Sequence, residues 1–128
     1  MMWPATVLVV DDNVEVAASI ASTLASSGYR ALTSDSGEEA LEMMIRANCA
    51  VDLVITDTYM PGGMSGLELI ARIRAMRPEQ PILRISGLSK GGLEHTEPEV
   101  PYLAKPFDTS TLLDHVAQLL RRLPGFQA

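Results

Sequence analysis

A chain of 128 residues, 47% of them hydrophobic, is long enough for one domain built around a single core. Its formal charge of −6 argues against direct binding of nucleic acid, because phosphate backbones are bound by clustered Lys and Arg. Its single cysteine, Cys49, excludes an internal disulfide, and the absence of a signal peptide or a membrane-length apolar run predicts a cytoplasmic domain with no membrane contact.

Short apolar runs alternate with stretches of helical period along the chain. The first half predicts a strand at Thr6–Val10 and a helix that stops at Gly28. A second strand follows around Tyr29–Thr33, and Ser36 with Glu39 forms a capping box that opens a second helix. The apolar positions of these two helices are Ala17, Ile20, Ala21 and Leu24, and then Leu41, Met44 and Ile45.

The second half continues the alternation. A third strand ending at Thr56 is almost wholly apolar, as expected of a central parallel strand. Ser65 and Glu68 form another capping box, and the helix behind it must end before Pro78. The remaining elements are strands around Pro81–Ser86 and Val100–Ala104 and a helix from Asp108 or Thr109. The apolar positions of these helices are Leu69, Ile70, Ile73 and Met76, and then Leu112, Val116, Leu119, Leu120 and Leu123.

This order predicts a parallel sheet covered on both faces by helices. One stretch breaks the pattern, because the segment from Gly87 to Pro101 should hold the fourth of five helices but is rich in Gly and Pro. Each interior Gly costs roughly 1 kcal/mol of helix propensity relative to Ala. We therefore expect a short or irregular helix there.

Charged side chains directly follow three of the predicted strands. Asp11 and Asp12 follow the first strand, Asp57 follows the third and Lys105 follows the fifth. The carboxyl ends of parallel strands meet at one edge of a sheet, where ligands bind in open α/β folds. Three acids crowded together there favour a hard divalent cation such as Mg²⁺.

Taken singly, each of these residues has a plainer interpretation. Asp11 and Asp12 could cap the first helix, Asp57 could be a turn residue, and Lys105 could be a solvated surface lysine. The matching positions of all four charges favour a common site over these readings.

The motifs in chain order identify a family. They are Asp11-Asp12, Asp57-Thr58-Tyr59-Met60-Pro61, Ser86-Gly87 and Lys105-Pro106-Phe107. Together they resemble the receiver domain of bacterial two-component response regulators, of the stand-alone or the hybrid-kinase type. The resemblance implies a flavodoxin-like doubly wound sheet of five parallel strands in the order 2-1-3-4-5, with five helices.

The resemblance also implies a metal site. Asp12 would be a direct ligand of Mg²⁺ (or Mn²⁺) and Asp11 a ligand through water. Asp57 itself and the backbone carbonyl of Tyr59 would complete the protein's share.

By the same resemblance Asp57 is the phosphoacceptor. Lys105 would pair with one phosphoryl oxygen, and Ser86 would donate its hydroxyl to another. A cis Lys105–Pro106 bond is typical of the family. Ser86 and Tyr102 match the family's switch residues, so phosphorylation would shift an equilibrium between two packings.

The implied partners are a histidine kinase or a histidine phosphotransfer protein, and a downstream protein. Residues 1–128 would form one receiver domain without an output domain, acting by protein contact or as a phosphate shuttle or sink, and a dimer is compatible with it. Such a protein is not a conventional enzyme, although it catalyses its own phosphorylation and dephosphorylation on aspartate.

Three features depart from the family pattern. The loop Pro61–Met64 carries one extra residue and should be looser, and the span from Ser86 to Lys105 is shortened. Arg84 stands where an apolar residue is expected. A buried, unpaired guanidinium is costly, so Arg84 should reach an acid or water, on a face that a stunted helix leaves poorly covered.

Two other functions compete with a phosphoacceptor module. A haloacid-dehalogenase-like phosphatase would need a second Asp two residues after the nucleophile, where this chain has Tyr59. A receiver-like scaffold that binds partners without phosphorylation would have no need of the crowded carboxylates or of Lys105.

Overall fold

The computed structural model describes residues 4–47, 50–87 and 100–121. Its strands are β1 (Thr6–Val10), β2 (Arg30–Ser34), β3 (Leu53–Asp57), β4 (Ile82–Gly87) and β5 (Tyr102–Lys105). The helices within the described ranges are α1 (Val14–Ser26), α2 (Gly37–Arg46), α3 (Gly66–Met76) and α4 (Thr109–Arg121). The short or irregular helix expected between Gly87 and Pro101 falls at 88–99, outside the described residues. None of the described helices has the length and apolar character needed to cross a bilayer.

The strands form one parallel sheet in the order β2-β1-β3-β4-β5. This is the flavodoxin-like order predicted from the sequence. The order places β1 and β3 side by side at the centre, and β4 and β5 beyond them. The carboxyl ends of all five strands therefore lie along the same edge of the sheet.

The sheet is buried on both faces, which explains the nearly continuous apolar runs of its central strands. Leu83 and Ile85 of β4 pack with α1 and α4 on one face, whereas Ile82 packs with α2 and α3 on the other. Each fully buried side chain of this kind contributes about 1.5–3 kcal/mol. Two predicted core positions are wrong, because Ile45 and Met76 are 63% and 39% exposed.

The helix starts are set by side chains that accept backbone hydrogen bonds. Ser36 and Ser65 cap α2 and α3, as their capping boxes predict. The cap of α1 is Asn13, whose side chain accepts hydrogen bonds from the N–H groups of Glu15 and Val16. The acidic pair before Asn13 is therefore not used to start the helix and is left for the edge of the sheet.

Gly66, the first residue of α3, allows the helix to pack against the end of β3. A Cβ atom at this position would overlap the backbone carbonyl oxygen of Asp57. The Gly66 N–H also donates to the Thr58 carbonyl at 3.0 Å. Since no side chain fits, this glycine sets the position of the backbone that carries Asp57.

We predict that Gly66→Ala destabilises the protein even though Ala has the higher helix propensity. Overpacking of this kind costs about 3 kcal/mol. The matched control is Gly62→Ala, where φ is +96° and the space is open. There the left-handed backbone alone should cost roughly 1–2 kcal/mol. Urea unfolding measures both values, and an equal or smaller loss in Gly66→Ala would contradict the packing argument.

Candidate functional site

Lys105 joins the ends of three strands at the carboxyl edge of the sheet. Its ammonium nitrogen lies 2.9 Å from Asp11 Oδ2 and 3.5 Å from Asp57 Oδ2. Asp11 directly follows β1, Asp57 is the last residue of β3, and Lys105 is the last residue of β5. The structure thus brings together residues that are up to 94 positions apart in the sequence.

The acidic residues at this edge form one cluster. Asp11, Asp12 and Asp57 each offer a carboxylate oxygen, and these oxygens lie within 4.8 Å of one another. Asp11 is fully buried and Asp57 is 8% exposed, whereas Asp12 faces solvent. One lysine cannot balance three carboxylates, and oxygen ligands suit a hard cation. The donor set therefore fits a divalent ion of the Mg²⁺ type.

The hydrogen bonds of Asp11 distinguish it from Asp12. Asp11 Oδ1 accepts the Asn13 N–H at 2.9 Å, and Oδ2 accepts the Lys105 ammonium at 2.9 Å. Both oxygens are therefore engaged within the protein. Asp12, exposed beside them, is the more accessible ligand for a cation arriving from solvent.

The surroundings of Asp57 disfavour the ionised form of its carboxyl group. Burial raises the pKa of Asp57 above its ordinary value, the nearby charge of Asp11 raises it further, and Lys105 opposes both. Burial acts to lower the pKa of Lys105, but its hydrogen bond to Asp11 and the charges of both acids raise it on balance. Lys105 therefore remains protonated at neutral pH. A bound metal ion would offset the repulsion between the carboxylates.

The segment after Asp57 is tied to its neighbours on both sides. The N–H and hydroxyl of Thr58 both donate to the Ile85 carbonyl, at 2.8 and 3.2 Å. The Met64 N–H donates to Glu38 Oε2 of α2 at 3.1 Å. The loop that the sequence predicts to be looser is therefore hydrogen-bonded to a helix. Tyr59, between these two anchors, is 50% exposed, and its N–H lies 3.4 Å from Asp57 Oδ1.

Ser86 lies on β4, the strand next to that of Asp57, and Tyr102 lies on β5, one strand further out. Ser86 is fully buried, and its hydroxyl donates to the Gly87 carbonyl at 3.4 Å. Tyr102 opens β5 and is partly buried. The described contacts do not place the Ser86 hydroxyl on the Asp57 carboxylate. The Lys105–Pro106 peptide bond is cis, as the resemblance implies.

Arg84 corrects one expectation. The sequence predicts that its side chain reaches an acid or water on a poorly covered face. The side chain is only 1% exposed, so the prediction of a poorly covered, water-accessible face is wrong. The guanidinium carbon lies 5.4 Å from the centre of the Tyr102 ring, within the range of a cation–π contact. Spacing could not reveal this pairing, because it depends on the register of β4 and β5.

Sequence reasoning missed two residues that shape the site. Asn13 both caps α1 and donates its N–H to Asp11. An Asn directly before a helical stretch is a cap signal, so its role could have been read from the sequence. The contact of Glu38 with Met64 joins residues 26 positions apart and carries no local signal.

Comparison with known proteins decides the family. The sequence matches the family model of the response regulator receiver domain over residues 7–117. The chain belongs to this family. As a receiver domain it is a signalling module of two-component systems. The match covers β1 to most of α4 and therefore every residue of the cluster.

Individual relatives show the receiver domain within different proteins. The chain is 35% identical over 127 residues to the response regulator protein FleR of Pseudomonas aeruginosa, covering 94% of the chain but 26% of FleR. It is 32% identical over 121 residues to the sensor kinase CckA of Brucella abortus, covering 92% of the chain and 13% of CckA. The receiver domain thus spans about a quarter or less of these relatives.

A solved structure supports the fold directly. The chemotaxis protein CheY4 of Vibrio cholerae superposes with a TM-score of 0.79 at 30% identity, covering 92% of this chain and all of CheY4. The likeness extends over the whole receiver domain, including the edge of the sheet that carries the acidic cluster.

We predict that Asp57→Asn raises the melting temperature in metal-free buffer at pH 7. A carboxyl group whose pKa is raised by folding stabilises the protein at pH values below its pKa in the unfolded state. This stabilisation is lost as pH rises through its pKa in the folded state. The neutral amide avoids that loss, so the two proteins should converge as pH falls toward the ordinary value of 3.8. Circular dichroism with a chelator present measures both curves.

The control for this prediction is Asp35→Asn, which removes the same charge from an exposed side chain. It should change stability by no more than about 0.5 kcal/mol. A melting temperature of Asp57→Asn at or below that of wild type at pH 7 would show that the charge on Asp57 does not destabilise the folded protein.

Proposed function

We propose that Asp57 accepts a phosphoryl group from a histidine kinase or a histidine phosphotransfer protein. The observation that carries this proposal is the Lys105 ammonium, 2.9 Å from Asp11 and 3.5 Å from Asp57. It places a fixed positive charge beside a carboxylate oxygen, where the negative oxygens of an incoming phosphoryl group need neutralising.

The transfer forms a bond from an Asp57 carboxylate oxygen to phosphorus and breaks the bond from phosphorus to the donor's imidazole nitrogen. The carboxylate is already a nucleophile, so no base has to remove a proton from it. Lys105 holds one phosphoryl oxygen, and Ser86 donates its hydroxyl to another. Burial of Asp57 limits water around the acyl phosphate once it is formed.

The acidic cluster would hold Mg²⁺ or Mn²⁺. Asp12 and Asp57 would be the direct carboxylate ligands, Asp11 would act through water, and the Tyr59 carbonyl would supply a further oxygen. When bound, the cation would neutralise charge on the phosphoryl oxygens. The hydrogen bonds that Asp11 already makes to Asn13 and Lys105 support its indirect role.

The output of the module is a change of packing that a downstream protein detects. When Ser86 turns toward the phosphoryl group, Tyr102 changes its ring position on the neighbouring strand. Because β5 is an edge strand, this movement reaches the surface. Phosphorylation shifts an existing equilibrium between the two packings.

A groove that includes Lys105 offers a partner a docking surface beside the site. It has a volume of about 560 Å³ and runs between α1 and the segment after β5. Val16 and Ile20 line one wall, and Pro106 and Phe107 line the other, with Lys105 at the end. A largely apolar groove that shares Lys105 with the site suits an amphipathic helix of a phosphodonor protein.

We predict that acetyl phosphate with Mg²⁺ adds the mass of one phosphoryl group to the wild type. The adduct should be stable in acid and labile in base, as an acyl phosphate is. Asp57→Asn should gain no mass, and a chelator should suppress the gain in wild type. Intact-mass spectrometry measures each case. An unmodified wild type under these conditions would favour a receiver-like scaffold over a phosphoacceptor.

We predict that Tyr59 slows hydrolysis of the acyl phosphate by shielding it from water. The phosphorylated form of Tyr59→Asn should lose its phosphoryl group severalfold faster than wild type, whereas Tyr59→Phe should retain a slow rate. The half-life of the added mass after removal of acetyl phosphate is the measurement. An equal or longer half-life in Tyr59→Asn would defeat the shielding argument.

A further inference from the structure

Arg84 and Tyr102 form a pair across the two outer strands on one side of the sheet. They are register partners of β4 and β5, so their side chains lie on the same face. The guanidinium carbon is 5.4 Å from the ring centre, and Arg84 is 1% exposed. A cation–π contact is strongest when the cation is removed from water, as it is here.

This pair lies directly below the reactive edge. Arg84 is also the register partner of Thr56, the residue before Asp57. Ser86 lies two residues further along β4 and therefore on the same face as Arg84. Arg84 thus stands between the strand that carries Asp57 and the strand that carries Tyr102, with Ser86 above it.

The two partners differ in their freedom to move. Arg84 lies on a strand flanked on both sides, by β3 and by β5. Tyr102 is on the edge strand and is partly exposed. The partly exposed ring therefore has more room to move than the buried guanidinium.

Filling the core at this position does not by itself require a cation. Replacing a buried charged group by an apolar side chain of similar volume is often neutral or stabilising. A methionine would fill the space beside Ile82 on the same face of the sheet. It would also avoid the cost of removing a charge from water. A methionine could not make the cation–π contact that Arg84 makes with the Tyr102 ring.

We propose that Arg84 is a positioning residue that holds the Tyr102 ring against this face and so sets how readily the ring is displaced when Asp57 is phosphorylated. The inference rests on the proposed function for its link to Asp57. The contact favours the ring position seen here over any other, so displacement of the ring must give the contact up. By linkage, the ease of displacement also governs how readily Asp57 accepts a phosphoryl group.

The test uses the full chain labelled with 3-fluorotyrosine and observed by fluorine NMR. Tyr102→Leu identifies the line of Tyr102 by its loss. In Arg84→Met without phosphodonor, the displaced ring population should rise at least about fivefold over wild type, the factor expected from loss of a desolvated cation–π contact. Arg84→Lys keeps a cation with poorer stacking geometry and should fall between the two. If Arg84→Met does not fold, Arg84→Lys against wild type decides.

Two controls separate positioning from packing. Arg72→Met removes a charge from an exposed arginine of α3 and should leave the Tyr102 line unchanged. In a double-mutant cycle, Arg84→Met should change the rate of phosphorylation by acetyl phosphate when Tyr102 is present and leave it unchanged in the Tyr102→Leu background. A merely structural role would give the same change in both backgrounds.

The outcomes are distinct. An unchanged Tyr102 line in Arg84→Met, or equal rate effects with and without the ring, would overturn the proposal. If wild type gains no phosphoryl mass, the proposed function fails. The fluorine lines recorded without donor still decide whether Arg84 holds the ring.

Discussion

The ion bridge from Lys105 to Asp11 and Asp57 is the interaction on which the site depends. It joins β1, β3 and β5 across the edge of the sheet with one ammonium group. Like charges a few ångströms apart would otherwise push these strand ends apart. The parallel order of the strands makes the bridge geometrically available, and the bridge in turn gives the buried carboxylates their positions. The cluster of acids around one ammonium at this edge follows from these two conditions.

The backbone around the bridge is fixed by contacts that leave little freedom. Thr58 connects the end of β3 to β4, because its N–H and its hydroxyl both donate to the Ile85 carbonyl. Gly66 lets α3 approach the Asp57 backbone more closely than any side chain would permit. Such constraints fix the backbone that carries Asp57 in addition to the ion bridge.

The sequence predicted the fold well because the fold rests on local signals. β1 was bounded correctly, and the serine caps of α2 and α3 stand where the capping boxes placed them. Ile45 and Met76 were assigned to the core because helical spacing defines a face only to within about one residue. The convergence of Asp11, Asp57 and Lys105 was also accessible, since strand ends of a parallel sheet must meet. The burial of Arg84 was not, because it depends on a cross-strand partner that no short-range pattern announces.

The capping of α1 by Asn13 has a consequence for how this site can vary. Three consecutive polar residues lie between β1 and α1, and their duties are separate: Asn13 starts the helix, Asp11 is held by Lys105, and Asp12 faces solvent. The residue at position 12 can therefore change without loss of the cap that starts the helix. The charge exposed at this edge and the start of α1 are free to vary independently.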